Sequence, residues 1–153
     1  MRFLRTAILA FAKFAIRAAA AINDAHEIQE SAHLVSRAFE RQDFQAIPPL
    51  FASDFSLATA DGTILNREQF VSEMMSDSRK AIPPVHASVK LVRIRVDGET
   101  TNSWWSEKTY YSVKDANGAI HQLRYSQRFE SQLTRVSGKW VTHSLTYPAH
   151  ATR

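Results

Sequence analysis

The placement of glycine is the feature of this sequence that most constrains its fold. The chain has only four glycines in 153 residues, and each stands in a dipeptide that is typical of tight turns. These dipeptides are Asp61-Gly62, Asp97-Gly98, Asn117-Gly118 and Ser137-Gly138. The last three divide residues 85–147 at nearly equal intervals, and the segments between them are rich in strand-forming residues. The C-terminal half is therefore predicted to form a four-stranded antiparallel meander.

The first strand of this meander changes the phase of its apolar alternation. Apolar side chains occupy odd positions from Val85 to Leu91 and even positions from Val92 to Val96. Because successive side chains of a strand point to opposite faces, one inserted residue explains the switch. We therefore predict a β-bulge near Leu91–Val92 that bends this strand.

Helical spacing and capping residues organise the N-terminal half. Asp24 and Glu27 have the spacing of a capping box at the start of a first helix, whose apolar stripe ends at Phe39. Asp43 is a natural N-cap for a second helix, but two prolines at 48–49 interrupt it. This second helix is therefore expected to be short or kinked.

A short strand and a third helix complete the N-terminal half. Residues 54–60 alternate between apolar and polar side chains, which favours a strand. Asn66 and Gln69 form the clearest capping box in the chain, at the start of a third helix. The prolines at 83–84 mark the end of the helical half. The predicted class is α+β, with three N-terminal helices and a sheet.

Residues 1–23 differ in composition from the remainder of the chain. They contain four basic residues, Arg2, Arg5, Lys13 and Arg17, and no acidic residue. The basic start and apolar middle fit an export signal, which would make the protein exported or periplasmic. At about 100° per residue the same segment is a basic amphipathic helix, which fits a presequence or a membrane-surface anchor. The third alternative is a disordered or loosely docked N-terminal extension. Without an export signal the protein would be cytoplasmic or membrane-associated, and the domain is expected to span 24–150.

Charge and residue usage exclude several classes of function. Removing the four N-terminal basic residues from the total of 19 leaves 15, which balances the 15 acidic residues. A neutral domain lacks the basic footprint of phosphate-backbone binding, so no nucleic acid partner is expected. The absence of cysteine excludes disulfides and thiolate chemistry. Since the histidines lack metal-ligand spacing and no Gly-rich phosphate loop is present, no metal or cofactor is expected.

Three stretches resemble the NTF2-like superfamily, which includes nuclear transport factor 2, SnoaL and ketosteroid isomerase. They are FERQDFQAIPPLFASDFSL, DGTILNREQF and RYSQRFESQLTRVSGKWVTHSL, the last being similar to the closing hairpin of SnoaL-like and DUF4440-type members. The resemblance covers about residues 26–147. It implies an α+β cone in which three N-terminal helices pack on a strongly curved antiparallel β-sheet. It further implies an apolar pocket inside the cone and a homodimer through the outer sheet face.

Ketosteroid isomerases use a carboxylate base on the first strand and a tyrosine donor on the first helix. An ungapped match through Asp43 and residues 51–54 places Thr59 at the base and Val35 at the tyrosine. A threonine hydroxyl is too weak a base, and valine has no proton to donate. The isomerase mechanism is therefore not inherited, and the resemblance leaves open whether the protein is an enzyme.

Odd-numbered residues of the meander are expected to face the pocket, where Glu107 and His143 form a candidate catalytic pair. A carboxylate can hold an imidazole in one tautomer and tune its pKa. The alternatives are a sheet histidine and a surface glutamate without a catalytic role, or two non-catalytic ligand contacts. The candidate ligand contacts are Val35, Thr59, Trp105, Tyr111, Tyr125, Gln127 and Phe129. Trp104 and Tyr110 fall on the opposite face, where they form an aromatic patch suited to a dimer or to cover by the N-terminal segment.

Three functions remain open at this point. The first is a SnoaL-like domain that binds a small apolar or aromatic molecule without turning it over. The second is a lyase or isomerase that performs acid–base chemistry on a cyclic ketone or polyketide-like substrate. The third is a homodimeric interaction module whose cone is filled by its own side chains.

Overall fold

The computed structural model describes residues 2–148, and their side chains from residue 20 onward. Within this range the elements are α1 (Arg2–Arg41), a 3₁₀ turn (Pro48–Leu50), β1 (Phe51–Ala58), β2 (Ile64–Asn66), α2 (Arg67–Lys80), β3 (Ala81–Asp97), β4 (Thr100–Lys114), β5 (Ile120–Val136) and β6 (Lys139–Thr146). The strands form one curved sheet in the order β2-β1-β6-β5-β4-β3. The fold is therefore α+β, as predicted.

The meander and its bulge are confirmed. Strands β3, β4, β5 and β6 pair antiparallel in sequence order. In the pairing of β3 with β4, Leu91 lies opposite Trp105 and Arg93 lies opposite Trp104, which leaves Val92 as the inserted residue. The bulge allows apolar residues on both sides of it to face the same side of the sheet.

The expectation of a wholly antiparallel sheet is wrong, because β1 runs parallel to β6. The two strands are second and third from the β2 edge of the sheet, and at their ends the backbone N–H of Tyr147 donates to the carbonyl of Ala58 at 2.9 Å. The Asp61-Gly62 turn closes a hairpin between β1 and the short strand β2, which the sequence analysis did not identify. The sheet is therefore mixed and has six strands in the described part of the chain.

The expectation of three N-terminal helices is also wrong. The described residues contain two α-helices, and only the 3₁₀ turn Pro48–Leu50 stands where the second helix was expected. Proline lacks the N–H that an α-helix requires beyond its first turn, so adjacent prolines limit this segment to one turn.

The first helix extends through the expected domain boundary without a break, from Arg2 to Arg41. Asp24 is therefore inside the helix and does not cap it. Its buried carboxylate accepts hydrogen bonds from the Arg135 guanidinium and from Trp140 Nε1, the latter at 3.3 Å. This ion pair attaches α1 to the β5–β6 hairpin. None of the helices in residues 2–148 combines the length and apolar character that crossing a membrane requires.

The predicted capping box of α2 is confirmed. Asn66 Oδ1 accepts from the Gln69 backbone N–H, and Gln69 Oε1 accepts from the Asn66 backbone N–H, both at 2.9 Å. Phe70 then packs against Phe51 and Phe55 of β1, with ring centroids 5.4 Å away in each case. The cap thus fixes where α2 begins, and the aromatic cluster fixes how it lies on the sheet.

Side chains of α1 cover the exposed edge of β3. Gln29 donates to the Val89 carbonyl at 2.9 Å and accepts from the Leu91 N–H at 2.7 Å. Glu40 accepts from the Ala87 N–H at 2.9 Å. These bonds satisfy backbone groups that an edge strand would otherwise leave unpaired. They also hold α1 across the concave side of the sheet.

Candidate functional site

A cavity of about 220 Å³ lies between α1 and the concave face of the sheet. Its walls are mainly aliphatic and aromatic and come from both helices and from five strands. The residues that line it are Ile28, Ser31, Ala32, Val35, Ser36, Phe39, Leu50, Phe51, Phe70, Met74, Ala87, Val89, Trp105, Glu107, Thr109, Phe129, Ser131, Leu133, Thr142, Leu145 and Tyr147. Glu107 is the single carboxylate among them, so the cavity is mainly apolar with one carboxylate.

The Glu107 carboxylate is held by two hydrogen bonds on one oxygen. Gln127 Nε2 donates to Glu107 Oε2 at 2.9 Å, and Tyr147 Oη donates to the same atom at 3.1 Å. Within the described residues, Oε1 accepts only a long bond of 3.5 Å from the Thr109 hydroxyl. Because a carboxylate oxygen can accept more than one bond, Oε1 retains capacity for a donor in the cavity.

Tyr147 is a neutral hydrogen-bond donor at this site. Burial raises the pKa of Tyr147 well above its ordinary value, and the adjacent Glu107 carboxylate raises it further. Both causes disfavour the phenolate, because it would place a second negative charge in an apolar environment. The phenol therefore stays protonated at physiological pH and can continue to donate.

Trp105 forms a rigid part of the cavity wall. Its indole Nε1 donates to Ser131 Oγ at 2.9 Å and to Ser103 Oγ at 3.1 Å, and the two serine hydroxyls are 2.7 Å apart. The indole also stacks on Phe129, with ring centroids 6.0 Å apart and an interplanar angle of 12°. Since all three polar groups are buried and bonded, this wall has a single arrangement.

Five of the predicted site residues lie at or next to the cavity. Val35, Trp105, Glu107 and Phe129 line it, and Gln127 holds the Glu107 carboxylate from the next strand. Trp105, Glu107, Gln127 and Phe129 are all odd-numbered residues of β4 or β5. The structure thus puts the odd-numbered side of these two strands towards α1.

The other predicted ligand contacts lie outside the cavity. Tyr111 is on the same sheet face but packs with Ala81 and Val85 in a separate cluster. Tyr125 is 49% exposed. Thr59 follows β1, and its hydroxyl bonds to Asp61 and to the Thr63 carbonyl in the turn. These three residues do not line the cavity.

The expected pairing of His143 with Glu107 is not present. His143 Nδ1 lies 3.1 Å from Asp54 Oδ1, on a carboxylate whose side chain is 74% exposed. The cause is a second bulge: β6 pairs Thr142 with Leu133 and Ser144 with Gln132, which leaves His143 as the inserted residue. Before this bulge the even-numbered residues Trp140 and Thr142 face the core, and after it the odd-numbered residues Leu145 and Tyr147 do.

Tyr147 is the functional candidate that the sequence analysis missed. The signal was present, because apolar residues of the last strand change phase from Trp140 at an even position to Leu145 and Tyr147 at odd positions. This is the same pattern that revealed the bulge in β3. Across the described residues, no group of three or more His, Cys, Asp or Glu side chains could hold a metal ion.

A cavity enclosed by one long helix and a curved meander defines a cone of the NTF2-like class, and solved structures share this fold. An NTF2-like protein with a cystatin-like fold from Novosphingobium aromaticivorans is 12% identical, with a TM-score of 0.70 over 93% of this chain and 91% of that one. A conserved protein from Planctomyces limnophilus is 16% identical, also with a TM-score of 0.70, over 82% and 95%. A candidate scytalone dehydratase from N. aromaticivorans is 10% identical with the same score, over 84% and 93%.

Residues 20–146 match the SnoaL-like domain family. The protein therefore belongs to that family, as the resemblance of its three stretches implied. No curated protein matches the chain. At identities this low the solved structures define the fold alone, so the reaction or ligand has to be argued from the site.

Proposed function

We propose that this SnoaL-like domain binds a small apolar or aromatic molecule in the cavity between α1 and the sheet, without turning it over. The observation that carries the proposal is the position of Glu107, the single carboxylate in a wall that is mainly aliphatic and aromatic. Binding sites for small molecules combine apolar walls with a few placed polar groups that fix orientation. Glu107 Oε1 would orient a ligand through a hydroxyl or N–H donor.

The size of the cavity limits the ligand to about one or two rings. A dry apolar cavity of about 150 Å³ is sufficient to bind benzene, and this cavity has about 220 Å³. A polycyclic molecule such as a steroid would need a larger cavity. The open volume also disfavours the third hypothesis, a homodimeric module with a filled cone, because the native side chains leave this space unoccupied.

A second candidate function is acid–base catalysis by Glu107. A carboxylate in an apolar cavity can take a proton from carbon, while a neutral tyrosine that turns its O–H from the carboxylate to the substrate donates to the developing oxyanion. Tyr147 Oη is 3.1 Å from Glu107, so both groups reach the same part of the cavity. A candidate dehydratase among the similar structures has the same fold. This hypothesis replaces the expected Glu107–His143 pair with Glu107 and Tyr147.

The binding proposal is tested by calorimetric titration of the full-length protein with 2-naphthol, a two-ring molecule with one hydroxyl donor. Ala32 lines the cavity, so Ala32→Phe should fill it and weaken binding at least tenfold. Leu34 is exposed on the opposite side of α1, so Leu34→Phe is the matched control and should bind like the wild type. Equal binding by both variants, or no binding by the wild type, would contradict the proposal.

The catalytic alternative is tested by deuterium exchange at the carbon next to the carbonyl of 1-tetralone, followed by NMR. If Glu107 is a general base, the wild type accelerates exchange and Glu107→Gln abolishes the acceleration. Tyr147→Phe should reduce it by about 10²–10³-fold, as expected for loss of one oxyanion donor. If exchange proceeds at the uncatalysed rate while 2-naphthol binds, the non-catalytic proposal is supported.

A further inference from the structure

The outer face of β3, β4 and β5 carries a regular grid of cations and hydroxyls. Three successive rows across the strands are Lys90–Ser106–Arg128, Ser88–Lys108–Ser126 and His86–Tyr110–Arg124. Side chains two residues apart on a strand are about 6.6 Å apart, and neighbouring strands are about 4.8 Å apart. Lys108 thus lies at the centre of a grid whose four corners are basic side chains or histidine. We call this surface the outer grid.

The outer grid and the two rows beyond it contain almost no acidic residue. Within residues 86–95, 102–110 and 124–132, the outer face has one acidic side chain, Glu130, and six basic ones. The basic side chains are Lys90, Arg93, Arg95, Lys108, Arg124 and Arg128. Each of these seven side chains is exposed. Residues 24–80, by contrast, contain ten acidic and five basic residues. The formal net charge of zero outside the N-terminal segment argued against a nucleic acid partner. That value is the sum over two regions of opposite charge.

Two of these cations, and the nearby His86, lie against aromatic rings of the same face. The Arg93 guanidinium lies 4.9 Å from the Trp104 ring centroid, and that of Arg124 lies 5.1 Å from Tyr110. The His86 ring stacks on Tyr110 with centroids 6.2 Å apart and an interplanar angle of 20°. These contacts restrict the three side chains, which lowers the entropy lost on binding an anion.

Two other occupants of this face fit less well. A two-fold homodimer through it would place the same six Lys and Arg side chains of each copy against one another, and like charges in contact are unfavourable. An anionic bilayer is planar, whereas this face is the convex side of a curved sheet. The rings that would insert at a membrane interface, Trp104 and Tyr110, are covered by cations.

We propose that the outer grid binds single-stranded nucleic acid. Its lysines and serine hydroxyls match phosphate oxygens, and guanidinium and imidazole planes are surfaces on which unpaired bases stack. Proteins that bind single strands without sequence preference combine a basic track with surfaces on which bases stack, and here Arg93, Arg124 and His86 would provide those surfaces. Binding is then independent of the cavity, which lies on the other side of the same strands.

The experiment is fluorescence anisotropy of a labelled thymidine homopolymer of ~12 nucleotides, within the usual site size of about 4–16, titrated with full-length protein at several salt concentrations. The test variant combines Lys90→Gln, Lys108→Gln and Arg128→Gln. The control variant, Arg41→Gln, Arg79→Gln and Lys139→Gln, removes the same charge from exposed positions elsewhere. The four basic residues of the N-terminal segment are present in all three proteins.

The test variant should bind at least tenfold more weakly, and the slope of log K against log salt should decrease by about 2, since each lost phosphate contact contributes about 0.7. The control should change affinity less than about twofold. Equal weakening of both variants, or no binding by the wild type at low salt, would overturn the proposal. Two further results would overturn the proposal if the oligonucleotide does not bind. They are retention of the protein on phosphatidylserine vesicles and formation of a dimer in sedimentation, in either case lost in the test variant.

Folding of the variants is checked by circular dichroism. If the triple variant is unfolded, Lys108→Gln alone is used, because this exposed side chain is at the grid centre. It should lower the slope by about 0.7. An unchanged slope in this folded variant would also overturn the proposal.

Discussion

The two faces of strand β4 have opposite chemistry, although they are built from adjacent residues. Trp105 and Glu107 point to the cavity, where one is buried and the other is the single carboxylate in an apolar wall. Trp104 and Lys108 point outward, where an arginine covers the tryptophan and the lysine is exposed. The period of two along a strand lets one element provide a small-molecule site on one side and a charged surface on the other.

The bulges at Val92 and His143 keep the two faces separate. Without the first, Arg93 and Arg95 would turn towards the core, and Ile94 and Val96 would turn to solvent, because a shift of one residue exchanges the faces of a strand. The difference between the faces therefore depends on single inserted residues as well as on alternation.

Deletion of Val92 should have the largest effect on stability. It forces either two guanidinium groups into the core or the loss of pairing beyond Leu91, and we expect a loss of at least about 4 kcal/mol in the free energy of unfolding. Urea denaturation measures it. Val92→Ala is the control and should cost less than about 1 kcal/mol, because Val92 is 60% exposed. A deletion as stable as this control would show that the bulge does not separate the faces.

The next largest effect on stability is expected from replacing the two adjacent tryptophans, which should have unequal costs. Trp105→Ala removes a buried side chain and leaves the Ser103–Ser131 pair without its indole donor, so we expect a loss of about 3–5 kcal/mol. Trp104→Ala removes a half-buried ring and one cation–π contact, for which about 1 kcal/mol is expected. Chemical denaturation of the two variants gives the comparison directly, and equal losses would mean that the faces do not differ in burial.

Glu107→Gln and Lys108→Gln should separate the two binding activities. Glu107→Gln removes the charged acceptor, so 2-naphthol should bind about tenfold more weakly while oligonucleotide binding is unchanged. Lys108→Gln should leave 2-naphthol binding unchanged and lower the salt slope for the oligonucleotide by about 0.7. Calorimetry and anisotropy of both variants provide the measurement. A variant that changes both activities alike would indicate that the faces are coupled.

The smallest expected effect is the pH dependence from Tyr111. Burial raises the pKa of Tyr111 from 10.0 to about 12, and nearby Tyr125 contributes. Below pH 10 both the folded and unfolded states are protonated, so the contribution is fully present. As the pH rises from about 10 through 12 the unfolded state loses its proton more readily, so stability falls. Tyr111→Phe should flatten this part of the stability curve, and an unchanged curve would contradict the assignment.

Local rules were sufficient for most elements in the C-terminal half. Glycine turns and alternation predicted the meander, and the phase switch predicted the bulge at Val92. The capping residues Asn66 and Gln69 predicted the start of α2. These signals act between residues near in sequence, so they are visible without tertiary structure.

Long-range features were not visible in the sequence. The parallel pairing of β1 with β6 joins strands from opposite ends of the domain, and no local pattern specifies it. Asp24 appeared to be a cap because its spacing to Glu27 fits one, but its partners Arg135 and Trp140 are more than 100 residues away. His143 was assigned to the cavity because the second bulge was overlooked, whereas Tyr147 was missed although its odd number is consistent with the pocket face.

The central claim, that two occupants bind opposite faces of the same strands, is tested most directly by NMR of the indole N–H groups of Trp104 and Trp105. The resonances are assigned with Trp104→Phe and Trp105→Phe variants. Titration with 2-naphthol should shift the Trp105 signal and leave the Trp104 signal unchanged, whereas the thymidine oligonucleotide should do the reverse. If either ligand shifts both signals equally, or if neither ligand shifts its expected signal, the separation of the two faces is contradicted.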